Sequence, residues 1–223
     1  MKSLSRNTIL EMAKTYDRLY NPKTRQPKIP KATNKQTLYN YVARGGSGGG
    51  PGCLSGDKRG WISNVDIGIV MDNYQTKYPR FRYLGTFLID FANHFPDMMK
   101  LNLDKESHDT FGMIINTAKS GKPGKHWFAL FIDKADSSIC VYDSNGDKPN
   151  VQIRRFIDSI KQNSSRDWNV YINTVQRQKI DGTCGMFALN FIIEKLHGRS
   201  CMSLNNDSQL TDSKMNSLRC KLF

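Results

Sequence analysis

The stretch His126-Trp-Phe-Ala-Leu-Phe-Ile-Asp133-Lys-Ala-Asp136-Ser-Ser-Ile-Cys-Val-Tyr142-Asp143 decides how this chain folds. Trp127 to Ile132 and Ser138 to Tyr142 are rich in β-branched and aromatic residues, and the polar tetrad from Asp133 to Asp136 lies between them. That is the pattern of two strands joined by a tight turn. Folded about a midpoint between Lys134 and Ala135, an antiparallel hairpin returns residue 143 to the level of residue 126 at its open end. The spacing alone thus places an imidazole beside a carboxylate. Such a carboxylate can accept the Nδ1 proton and leave Nε2 as a base.

The matching nucleophile stands 41 residues after Asp143, in Asp181-Gly-Thr-Cys184-Gly-Met-Phe187, where a Gly-containing turn runs into an apolar helix. A cysteine at a helix N-terminus feels the positive end of the dipole and unpaired N–H groups, both of which favour the thiolate. Backbone N–H groups around Cys184 can form part of an oxyanion hole, and Gln178, six residues upstream, offers a side-chain amide for the rest. A lone cysteine before a helix is usually a small buried hydrophobe, and a lone His–Asp pair is usually an incidental contact. The four residues together, in this order and context, supply nucleophile, base, orienting acid and oxyanion donor for acyl transfer.

Outward from this centre, Phe111 to Asn116 and Trp168 to Val175 read as further strands, and Val151 to Gln162 and Gly185 to Leu196 as helices, the second ended by His197-Gly198. Trp61-Ile-Ser-Asn64 reads as a turn and cap before a helix carrying Val65, Ile67, Ile69, Val70 and Tyr74. Tyr83 to Phe95 is apolar, and its pattern does not separate helix from strand. Strands and helices with hairpin and crossover links mixed give an α+β body with a mixed sheet.

Charge divides the 223 residues. Residues 1–60 hold 12 Lys or Arg against 3 Asp or Glu, so they carry +9 of the net +13. With an amphipathic helix predicted over residues 4–20 and a hinge at Arg44-Gly-Gly-Ser-Gly-Gly-Gly-Pro-Gly52, residues 1–52 form a short basic helical arm and linker, and residues 53–223 the catalytic domain. The clustered charge points to DNA or another polyanion as a partner of residues 1–60, or to a merely solubilising tail. No apolar run approaches a membrane span, and no secretion signal opens the chain. Cysteines 53, 140, 184, 201 and 220 form no CxxC pair, which implies reduced thiols in an intracellular compartment, with all but Cys184 structural or incidental. His94, His108 and His197 lack metal-ligand spacing, and no cofactor or metal is expected. Gly45-Gly46 is read as linker, with self-processing as the minority reading.

Gly-Lys-His126-Trp, Tyr-Asp143-Ser-Asn-Gly and Gln178-Lys-Ile-Asp-Gly-Thr-Cys184-Gly-Met-Phe resemble the His, Asp and Gln…Cys-Gly motifs of the clan of SUMO proteases and adenovirus proteases. Trp61-Ile-Ser-Asn resembles the segment that opens the clan's catalytic domain. Ile62 to Asp90, and Asp109-Thr-Phe-Gly up to His126, are especially similar to the African swine fever virus type, which matures viral structural polyproteins. The resemblance spans roughly residues 61–198 and implies a papain-like cysteine protease core cleaving after Gly-Gly or a similar small pair. Thr183 stands where SUMO proteases commonly have Asp, which favours a viral maturation protease over a cellular SUMO protease. By resemblance Trp61, Trp127 and Gly185 bind substrate, although a core role for either Trp carries equal weight. The substrate is expected to be a viral polyprotein or, in the alternative, a ubiquitin-like protein ending in Gly-Gly, handled in the virion and host cytoplasm. Acetyl transfer through the same thiol and a vestigial, nucleic-acid-associated virion protein are the remaining readings.

Overall fold

The computed structural model describes residues 60–223, so the arm helix, the glycine hinge and the boundary after residue 52 lie outside the described residues. In chain order the elements are α1 (Asn64–Lys77), β1 (Phe81–Leu88), α2 (Phe91–His94), two 3₁₀ turns (Pro96–Lys100 and Leu103–Lys105), β2 (Thr110–Asn116), β3 (Trp127–Asp133), β4 (Ser138–Tyr142), α3 (Val151–Gln162), β5 (Asn169–Ile172), α4 (Cys184–Leu196), α5 (Cys201–Asn205) and α6 (Asp212–Leu222). The strands form one mixed sheet in the order β1-β2-β3-β4-β5. Its outer pairs are parallel and its two inner pairs antiparallel. The α+β, mixed-sheet reading holds.

Alternation along β3 explains the layers. Trp127, Ala129 and Phe131 face a core shared with α1, α4, α5 and α6, whereas Phe128, Leu130 and Ile132 face a second core shared with α2, the 3₁₀ turns and α3. A strand buried on both faces reads as a continuous apolar run, which is how Trp127 to Ile132 reads. Helix α4 is apolar on every side because it lies between the sheet and α1 and α6, as its buried set from Cys184 to Ile193 records.

Tyr83 to Phe95 resists a periodic reading for a structural cause. A bulge between Tyr83 and Gly85, with Gly85 at φ 137, switches which alternate residues face which core. Phe81 and Tyr83 point to the α4 side, and Leu84 and Phe87 to the α3 side. The chain then leaves the strand for the one-turn helix α2.

Two expectations are corrected. The hairpin register pairs Ala129 with Tyr142 and Asp133 with Ser138, so the turn centres between Ala135 and Asp136. Continued by one rung, residue 143 falls opposite residue 128, two residues short of His126, a diagonal offset that side chains still bridge. The cysteines are not all reduced: Cys140 in β4 and Cys201 at the start of α5 form a disulfide, with Cα atoms 6.1 Å apart. The pair is 61 residues apart in sequence and is brought together only by the packing of α5 against the sheet, so no local cysteine spacing announces it.

Candidate active site

Three chain segments converge at the open end of the hairpin. Ser63 caps α1 and forms a capping box with Asp66, as the Trp61-Ile-Ser-Asn reading expects. This fixes Ile62 against the start of α4: a Cβ on Gly185 would run into Ile62 Cγ1 and sit 3.3 Å from Trp127 Cδ1. Gly185 therefore lets the first turn of α4 approach the α1 segment, a packing role that resemblance to a substrate-binding glycine does not predict. Trp127 is 4% exposed and belongs to the core, whereas Trp61 is 49% exposed.

His126 precedes β3, with its carbonyl accepting from the Thr117 N–H at 2.9 Å. Buried Asn116 ties the preceding loop by accepting from the N–H groups of Ala118 and Lys125, each at 3.0 Å. His126 Nε2 lies 2.7 Å from Asp143 Oδ1, and the Cys184 sulfur acts on the same ring electrostatically. With Nε2–H donated to the carboxylate, Nδ1 is the nitrogen left for the thiol. The expected assignment of the two ring nitrogens is reversed, because the base reaches Asp143 diagonally from two residues beyond the aligned rung. Burial disfavours a charged ring here, but the hydrogen bonds and charges of Asp143 and Cys184 outweigh it and push the imidazole up to about 10.

Asp143 opens a tight turn. The Asn145 N–H donates to its Oδ1 at 2.8 Å, and the Gly146 N–H to its carbonyl at 2.9 Å. Gly146 has φ 77, and a Cβ there would lie 2.9 Å from backbone atoms of Thr174 and Gln176, so the turn packs against that loop only with glycine. Buried Asn173 donates to the Asp143 carbonyl at 2.6 Å and to the Val175 carbonyl at 3.0 Å.

Gln178 is fastened to the same turn. The Ser144 hydroxyl donates to Gln178 Oε1 at 2.8 Å, and the Ser144 carbonyl accepts from the N–H groups of Arg177 and Gln178. Gln178 Nε2 donates to the Ile180 carbonyl at 3.0 Å, which uses one of its two N–H bonds and leaves the second. Sequence reasoning missed Ser144, Asn173 and Asn116 as supports. The first lies inside the quoted Asp143-Ser-Asn-Gly string, but the other two carry no local signal.

Cys184 is the first residue of α4, 1% exposed, and among the described residues it is the free thiol. The structure thus joins His126 to Asp143 by a hydrogen bond, with Cys184 acting on the same imidazole and Gln178 tied to the neighbouring turn. Such a cluster can generate a nucleophilic sulfur and shuttle one proton through an imidazole. Among the described residues no group of His, Cys, Asp and Glu has the arrangement of a metal site. A cleft of about 740 Å³ opens at the opposite end of the sheet, lined by residues such as Lys77, Arg80, Asp109, Asp133 and Lys195, and is separate from this chemistry.

The same architecture is found in several solved structures. The African swine fever virus protease superposes with a TM-score of 0.65 at 24% identity, covering 76% of this chain and 71% of that one. The SUMO protease Ulp1 superposes at 0.52 with 16% identity, covering 74% and 78%. A Chlamydia trachomatis effector solved with ubiquitin gives 0.55 at 14% identity, covering 72% and 91%. At the level of sequence, a thiol protease of Acanthamoeba polyphaga mimivirus is 30% identical over 171 residues, or 73% of this chain and 56% of that protein. A cysteine protease of African swine fever virus is 26% identical over 186 residues, or 74% and 68%. In other isolates the swine fever virus counterpart is named a SUMO-1 cysteine protease. Residues 71–223 match the C-terminal catalytic domain of the Ulp1 protease family, and the chain belongs to that family. It spans 56% of the length of the mimivirus relative.

Proposed function

We propose that this protein is a cysteine endopeptidase that cleaves after Gly-Gly-like pairs and matures the structural precursors of a large DNA virus. The observation that carries the reading is the His126 ring, hydrogen-bonded to Asp143 at 2.7 Å, with the Cys184 sulfur acting on the same ring. In this mechanism His126 Nδ1 takes the thiol proton and Cys184 Sγ attacks the scissile carbonyl. The carbonyl oxygen becomes an oxyanion facing the α4 N–H groups and the spare Gln178 N–H. Collapse of that intermediate breaks the C–N bond, and Nδ1–H protonates the leaving amine. Water, deprotonated by the same nitrogen, then hydrolyses the thioester.

The depth of the sulfur supports the Gly-Gly preference. A nucleophile on a residue only 1% exposed is reached most easily by a chain without Cβ atoms at the scissile bond, and exposed Trp61 supplies an aromatic wall nearby in sequence to the Ile62–Gly185 contact. A panel of Gly-Gly-X peptides from virion precursors, run beside ubiquitin and SUMO conjugates, tests substrate class. Cleavage of conjugates alone counts against maturation and favours the second reading, a deconjugating protease. That alternative draws support from the family and from the names of the swine fever virus relatives.

Residues 53–223 form the catalytic unit in this proposal, and residues 1–52 a basic arm that tethers it to DNA or an acidic precursor in the virion and host cytoplasm. Binding of duplex DNA is expected to weaken with salt at a log–log slope of about −4 to −7. A slope near zero removes the tether.

A further inference from the structure

The loop that carries the nucleophile is held from outside the motif by α6. Asp212, the first residue of that helix and 6% exposed, accepts from the Lys179 N–H through Oδ2 at 2.8 Å. Its Oδ1 accepts from the Thr183 hydroxyl at 2.6 Å, and that hydroxyl also lies 2.9 Å from the Ile180 carbonyl. Arg219, 2% exposed, donates to the Gly182 carbonyl at 3.1 Å. Asp212, Met215 and Arg219 are the buried residues of α6 and follow helical spacing, so one stripe of the helix faces the start of α4. Burial disfavours the charged Arg219 guanidinium, and the charges of Asp66 and Cys184 partly offset that.

Thr183 occupies the N-cap position of α4 and does not behave as a cap. An ordinary N-cap threonine is extended, and its side-chain oxygen accepts from an N–H in the first turn. Thr183 instead has φ −96 and ψ −10, with no side-chain cap hydrogen bond, and its hydroxyl is turned to Asp212. Side-chain oxygens cap α1, α3, α5 and α6 of the same molecule, so the open start of α4 sets it apart from them.

We propose that Asp212 is a positioning residue for the active site: by holding the Thr183 hydroxyl and the Lys179 N–H, it keeps α4 uncapped, so that the first-turn N–H groups beside Cys184 stay free for the oxyanion. The idea rests on Cys184 being the nucleophile. Without the carboxylate, Thr183 relaxes to an ordinary cap and occupies the donors that the transition state needs.

The test is a pair of substitutions in the full chain, read as kcat and KM on a Gly-Gly-X peptide with Tm recorded for each variant. Asp212→Ala is expected to lower kcat about 30- to 100-fold, on the scale of one lost oxyanion donor, with KM within about 3-fold. Thr183→Val, which cannot cap, is expected to be mild alone and to raise kcat about 10-fold or more when added to Asp212→Ala. A merely structural role predicts the reverse, with the two losses adding, and a double variant as slow as Asp212→Ala or slower overturns the proposal. If Asp212→Ala does not fold, Asp212→Leu, which keeps the volume but removes both acceptors, makes the same comparison with and without Thr183→Val. Unchanged cleavage by Cys184→Ala is a separate result, and it marks failure of the nucleophile assignment rather than of the Asp212 role.

Discussion

The two halves of the site are built by different means. His126 and Asp143 sit at the ends of adjacent strands in one hairpin, where the register of β3 on β4 brings them together across a short chain separation. Cys184 opens α4 at the end of a loop whose shape depends on residues far away: Ser144 fastens Gln178, and Asp212 and Arg219 fasten Lys179, Gly182 and Thr183. The hairpin half is therefore mostly local, with Asn116 and Asn173 as its supports from outside the hairpin. The loop half is exposed to errors in packing of the C-terminal helix. A site assembled this way can lose activity through α6 while its His–Asp pair remains intact.

The largest expected effect lies where the halves meet. Cys184→Ala should abolish peptide cleavage with Tm little changed, and His126→Ala should be comparably severe, because either change removes the acyl-transfer unit as a whole; losses of order 10⁴- to 10⁶-fold in kcat are expected. Asp143→Asn should leave clearly more activity than either, since an amide oxygen can still accept from Nε2–H and from the Asn145 N–H, and Asn173 holds the Asp143 carbonyl independently of the side chain. If Asp143→Asn is the most damaging of the three, the hairpin half does more than orient the ring.

On the loop side, Gln178→Ala should lower kcat roughly 10²-fold with a smaller change in KM. Ser144→Ala, which frees the Gln178 side chain without removing it, should cause a smaller loss in the same direction. A raised KM at constant kcat for Gln178→Ala reassigns it to substrate binding.

The hairpin half also carries a pH signature. The His126 imidazole is raised in the folded protein from about 6.5 to about 10, so its contribution to stability is fully present below pH 6.5 and is lost as pH rises toward 10. Denaturant unfolding of the wild type and His126→Gln should show a stability difference that shrinks across that window. A difference that grows with pH contradicts the charged ring.

The smallest effect expected is at Gly185, where α1, β3 and α4 meet. Gly185→Ala should destabilise the fold, because overpacking against Ile62 costs about 1–3 kcal/mol and the gain in helix propensity returns only about 1 kcal/mol. An unchanged or raised Tm would mean that Ile62 gives way freely.

Sequence alone determined the strands and helices between Phe111 and Leu196, the cap at Ser63 and the approach of His126 to Asp143, because each rests on a short-range rule: alternation, helical spacing, a capping box or a hairpin turn; the two helices after Leu196 were not read from it. It also singled out Cys184 and Gln178, through a glycine-bearing turn into an apolar helix. The tertiary structure decided the rest. The bulge before Gly85 broke the alternation that would have named β1, and the two-residue diagonal at the hairpin end decided which ring nitrogen meets Asp143. The Cys140–Cys201 disulfide, the Ile62–Gly185 contact and the hold of Asp212 on Thr183 join residues 29 or more apart in the chain. Such pairings come from how helices dock on a sheet, and docking is fixed by the whole buried surface rather than by any window of sequence.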